Sequence, residues 1–78
     1  MKIESFFPGR LRVSSPLFNK QANLDKATEY LRTLGGIRDL IGNARTGSLT
    51  VVYDAARIGM PMLLEAKEEF EKLERGMG

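Results

Sequence analysis

The chain has no cysteine, no histidine and no tryptophan. Without cysteine there are no disulfides, no thiolate zinc or copper sites and no thiol nucleophile. Without histidine there is no imidazole for general acid–base catalysis, and haem ligation by either residue is excluded as well. The remaining chemistry-bearing groups are carboxylates, lysines, arginines, hydroxyls and four methionines, an inventory that argues for a non-enzymatic protein without a cofactor. No apolar run approaches the ~18 residues a membrane-crossing helix needs. The first residues, Met1-Lys2-Ile3-Glu4-Ser5, lack the apolar stretch of a secretory signal. The expectation is a cytoplasmic protein, with the cytosolic face of a membrane included.

The 78 residues suffice for one domain, 1–78, and not for two. A core of that size supplies only a few kcal/mol of net stability, so a partner surface is one way to complete it. The net charge of +2 is unevenly spread: residues 1–60 carry nine Lys/Arg against five Asp/Glu, and residues 61–78 carry three against five. The body is mildly basic and the C-terminal segment acidic. This falls short of the concentrated basic patch of a dedicated nucleic-acid binder.

Arg10-Leu11-Arg12-Val13-Ser14 alternates with period two, as a half-buried strand does, between Pro8-Gly9 and Pro16. Residues 2–6 also alternate and read as a second short strand. Leu24, Ala27, Leu31 and Leu34 form one stripe of a helix over about 20–34. Asn19 or Asn23 is placed to cap its start, and Gly35-Gly36 to end it in the left-handed region. Strands over 37–43 and 48–54 flank a turn at Arg45-Thr46-Gly47-Ser48 and make a hairpin. In the second of them Leu49, Val51 and Tyr53 point to the core, and Thr50 and Val52 point away.

A last helix runs over about 61–75, with Pro61 in its first turn and Leu63, Ala66, Phe70 and Leu73 as its apolar stripe. Glu68→Lys72 and Glu71→Arg75 are spaced as i,i+4 pairs. Phe6, Phe7 and Phe18 flank the 10–14 strand, either capping the ends of the core or forming a contact patch. Met60-Pro61-Met62 has the spacing of a thioether pair, but sealing the start of an amphipathic helix is the simpler role. The glutamates at 65, 68, 69, 71 and 74 likewise read as a solvated helix face before they read as a cation site.

Strand, helix, strand, strand, helix, with both helices on one face of an antiparallel sheet, is a ferredoxin-like α+β arrangement. Leu34-Gly35-Gly36-Ile37, the turn at Thr46-Gly47-Ser48 and Leu49-Thr50-Val51-Val52-Tyr53-Asp54 resemble the heavy-metal-associated domain family. Its members read L-x-G-V at the end of the first helix and T-G-x-x-x-V-x-Y-D into the third strand. Pro8-Gly9-Arg10-Leu11-Arg12-Val13 resembles the cysteine-poor branch of that family, and the likeness covers about residues 8–73. Domains of that branch accompany metal-transporting P-type ATPases and related metal-handling systems, so the resemblance implies a regulatory or docking module in such a setting.

Two departures from the family pattern matter. The family's metal loop reads M-x-C-x-x-C, whereas Ser15-Pro16-Leu17-Phe18-Asn19-Lys20-Gln21 stands here, and its hydroxyl and amide groups are poor ligands for Cu(I) or Zn(II). No metal-site residue carries over. The family's fourth strand is also missing, since residues 74–78 are few and poor in β-formers. In the family's sheet order, 4-1-3-2, that loss bares one edge of the 10–14 strand. Two repairs are open: residues 2–6 fold back into the vacant place, or two copies pair edge to edge as a dimer.

The candidate binding residues are Arg10, Arg12 and Ser14, with Thr50 and Val52 expected beside them from a parallel neighbouring strand, all on the sheet face opposite the helices. Charge that merely solubilises a bare sheet is the plainer reading. A basic docking surface for an acidic protein segment, a phosphate or an anionic membrane is the functional one. RNA recognition motifs share the architecture but stack bases on aromatics at these positions, where Arg12, Thr50 and Val52 stand and Tyr53 turns inward, which argues against nucleic acid. The leading expectation is a module working through protein contacts. A cation carrier with oxygen ligands, for iron, and a self-assembling structural subunit are the alternatives.

Overall fold

A computed structural model describes residues 1–77. The elements run β1 (Lys2–Phe7), β2 (Arg10–Ser14), a 3-10 turn (Pro16–Asn19), α1 (Gln21–Arg32), β3 (Ile37–Asn43), β4 (Ser48–Tyr53) and α2 (Met60–Met77). The four strands form one antiparallel sheet in the order β1-β2-β4-β3. One correction follows at once: β4 lies antiparallel to β2, not parallel. The β3–β4 hairpin reverses the chain, and β4 sits between β3 and β2, so it opposes both.

Of the two repairs considered for the sheet edge, the fold contains the first. Gly9, at φ +91°, turns the chain so that β1 pairs with β2 from Phe7↔Arg10 to Lys2↔Ser14. The edge of the 10–14 strand is therefore occupied, which corrects the expectation of self-association there: its free N–H and C=O groups are already paired within the chain. The C-terminal residues that are too few for a strand instead continue α2 through Met77.

Both helices pack on the sheet face that carries Val13, Leu49, Val51 and Tyr53, and with Leu24, Ala27, Leu31, Leu63, Ala66 and Phe70 they form one core. Leu73, placed on the α2 stripe by spacing, is 53% exposed, while the next residue, Glu74, is the one that turns inward onto Ser15 and Met1. Neither asparagine caps α1 by side chain, since its N-cap is Lys20 with an extended backbone. Asn19 Nδ2 instead donates to the Ala44 carbonyl and Asn23 Nδ2 to the Leu17 carbonyl. Gly35 and Gly36 take the left-handed conformation, φ +72° and +81°, just past α1. Among the described residues, the ion pairs within α2 are Lys67–Glu71 and Glu69–Lys72, at 3.2 and 3.3 Å, rather than the two that i,i+4 spacing suggested.

Candidate functional site

The segment 15–21, where the resembling family holds its metal, is a packed plug. Leu17 and Phe18 are buried, Phe18 completely, and the Phe18 ring meets Phe70 edge-on at 6.0 Å. Ser15 Oγ accepts from the Leu17 amide at 3.1 Å and donates to Glu74 Oε2 at 2.8 Å. Ser15 N donates to the Gly47 carbonyl at 2.8 Å. The Ser15 hydroxyl and amide thus hold the loop against α2 and the hairpin turn.

Glu74 closes this end of the molecule. It also receives the N-terminal ammonium of Met1 at 2.9 Å. Burial works to raise its pKa, but hydrogen bonds from that ammonium and from Ser15, with the positive charges of the ammonium and Lys67, outweigh it. The net shift is downward. The other α2 carboxylates do not join it: among the described residues, no three Asp or Glu converge as a cation site would need.

The opposite face of the sheet carries no helix. Pairing across the four strands sets its side chains in rows. One row reads Phe7, Arg10, Val52, Asp39, and the next reads Ser5, Arg12, Thr50, Ile41. A third holds Lys2, Ser14, Ser48 and Asn43. All five residues singled out in the sequence therefore share this face. Arg10 and Arg12 are exposed, and among the described residues no carboxylate lies within ion-pairing distance of either. Val52 is half-buried. Thr50 is only 8% exposed, since it stands in the central strand between the longer Arg12 and Ile41, so it forms the floor of the face rather than its surface. Ser14 Oγ is engaged, donating to Glu4 Oε1 at 2.7 Å.

Sequence reasoning missed the apolar half of this face. Phe7 is 61% exposed beside Arg10, and Ile41, 54% exposed, stands across Thr50 from Arg12. Ile41 lies in a strand whose pattern, half-buried Leu40 between exposed Asp39 and Ile41, was there to be read. By sequence Phe7 reads with Phe6 and Phe18 as a cap on the core or part of a contact patch, without a place on this face.

A second feature lies on the helix side, beyond the core. The gap between β1 and α2 is a groove of about 250 Å³, walled by apolar side chains that include Ile3, Phe6, Leu11, Met60, Leu63 and Leu64. A β-bulge between Ile3 and Ser5 sets its outer wall. In a regular strand residues three apart point to opposite faces. The extra residue lets Ile3 pair with Val13 and Phe6 with Leu11, both on the helix side. The charged member of the lining, Lys67, is tied to Glu71.

Compared with known proteins, the chain matches no family model, no curated protein and no solved structure.

Proposed function

We propose that this chain is a non-enzymatic binding module that docks an acidic protein segment on the uncovered face of its sheet. The observation that carries the reading is the position of Arg10 and Arg12. Two exposed guanidinium groups without carboxylate partners among the described residues stand two residues apart on one strand, with exposed Phe7 and half-buried Val52 on either side of Arg10 and exposed Ile41 across Thr50 from Arg12. Charge that only keeps a sheet soluble has no need of large apolar neighbours. Arginine beside aromatic and aliphatic groups is the composition that interfaces favour, because the planar cation pairs carboxylates in bidentate fashion while its flanks stay apolar.

The wider reading is a ferredoxin-like, heavy-metal-associated-like domain in which β1 stands in for the usual fourth strand. The strand order β1-β2-β4-β3 supports it, as do the motifs around Gly35-Gly36, Thr46-Gly47-Ser48 and Tyr53-Asp54. In that reading the domain serves metal transport or homeostasis as a docking element, for instance beside a metal-transporting P-type ATPase at the cytosolic face of a membrane. In that reading it carries no metal itself, since the 15–21 segment offers hydroxyl and amide groups in place of thiolates and Ser15 Oγ is held by Leu17 N and Glu74. Among the described residues no helix is long and apolar enough to cross a membrane.

Calorimetric titration with a glutamate-rich peptide tests the docking reading. The expected result is binding that weakens with salt and falls about five- to tenfold in the Arg10→Glu/Arg12→Glu variant, the size of two exposed charge contacts. Binding that is unchanged in that variant would remove the open face from the account.

A further inference from the structure

We infer that the groove between β1 and α2 is covered by a second copy of this chain, with the two β1 strands lying antiparallel about a two-fold axis. This concerns the β1 edge and its helix side, and meets the docking reading of the open face only at Lys2 and Phe7.

The groove is unfinished as a monomer surface. Ile3, Phe6, Met60 and Leu64 are 48%, 43%, 48% and 51% exposed, although all four border one apolar depression. About half of each side chain remains in water, on the order of 400 Å² per copy, which is as large as the biggest apolar patch on a typical monomer. The same patch on two copies gives roughly 800 Å². The backbone of β1 and the adjoining Phe7 bring the total past the ~1,000 Å² that a specific interface needs.

A small molecule fits the site less well. The groove walls offer no free polar group to orient a ligand, because Lys67 already binds Glu71. A second copy, by contrast, presents a matching surface. If the axis passes between Glu4 and Ser5, Ile3 of one copy lies opposite Phe6 of the other on the helix side, and Lys2 lies opposite Phe7 on the open side. Every paired position then shares its face, because the bulge has already turned Ile3 and Phe6 the same way. The unpaired outer edge of β1 supplies hydrogen-bonding groups along the same line. The two α2 helices would bring Met60 and Leu64 together over that seam. Each copy has one such edge, so the assembly closes at two.

Sedimentation of the full chain from micromolar to millimolar concentration tests the inference. The expected result is a reversible rise to twice the chain mass. Ile3→Lys and Leu64→Lys, both at exposed positions, should each weaken the dimer at least about tenfold while leaving far-ultraviolet circular dichroism unchanged. If either variant fails to fold, Ser5→Cys carries the test. The chain has no cysteine, so a short thiol crosslinker should join two Ser5→Cys chains and leave Glu29→Cys chains, altered on exposed α1 surface, unjoined. A monomer throughout the concentration range would overturn the inference. So would a dimer indifferent to these substitutions, or a monomer that takes up an extended peptide along β1 instead.

Discussion

Gly47 carries more of the fold than its place in a turn suggests. Its φ is +65°, and a Cβ there would come within 2.8 Å of the Ser15 carbonyl and 3.0 Å of the Asn19 side chain. A Gly47→Ala substitution therefore meets both backbone strain and a close contact with a segment anchored at both ends. It should cost about 1–3 kcal/mol in thermal or denaturant unfolding. Glu74 makes a different prediction, one in pH. Its folded pKa lies below the ordinary value because the ammonium of Met1, Ser15 and Lys67 favour the carboxylate over the cost of burial. In the unfolded chain it titrates near the usual ~4.3. The stability it contributes is present above that pH and is lost as pH falls through the lower folded pKa. Glu74→Gln should thus lower stability at neutral pH by about 1 kcal/mol and flatten the acid limb of the stability profile. An acid limb identical to that of the parent chain would exclude this role.

Periodicity made most elements legible, and where it failed the cause is specific. The strands at 10–14 and 37–43 and the hairpin turn follow from alternation and from Gly47, and the helical stripes through Leu24 and Leu63 follow from 3.6-residue spacing. Phe18 was left undecided between core and surface, because a 3-10 turn of four residues is too short to show any period. Yet it is the most buried large side chain, wedged against Phe70 between helix and sheet. Phe18→Ala should cost about 3–5 kcal/mol and leave a domain of this size largely unfolded at ambient temperature, as circular dichroism would register. The side on which Phe6 falls was also hidden, because a bulge shifts the phase of alternation and leaves no mark in the sequence. Strand β1 itself was visible as a candidate only, since its pairing depends on a vacancy in the sheet rather than on its own residues. Hydrogen exchange addresses it directly. With β1 in place, amides of residues 10–14 should be protected in dilute solution, and rapid exchange across that strand would mean an open edge.

At the scale of the whole molecule, one sheet separates two surfaces of different character. The helix side holds the core and, at its margin, an apolar groove. The other side is bare and carries Arg10 and Arg12 among Phe7, Ile41 and Val52. The candidate residues of that face were readable from alternation along β2 and β4, but its composition as a surface was not. That depended on which strands become neighbours, and so on the antiparallel register that places Phe7 beside Arg10 and Ile41 beside Thr50. The acidic residues of α2 lie on the helix side, and the bare face carries Lys2, Arg10 and Arg12 against Glu4 and Asp39, a small positive excess. The central claim is that this face is where the partner binds, and nuclear magnetic resonance mapping tests it most directly. On titrating the isotopically labelled chain with a glutamate-rich peptide at low salt, the account predicts shift changes concentrated at Phe7, Arg10, Arg12, Ile41 and Val52. Shift changes confined to α1, α2 or the 15–21 segment would contradict it.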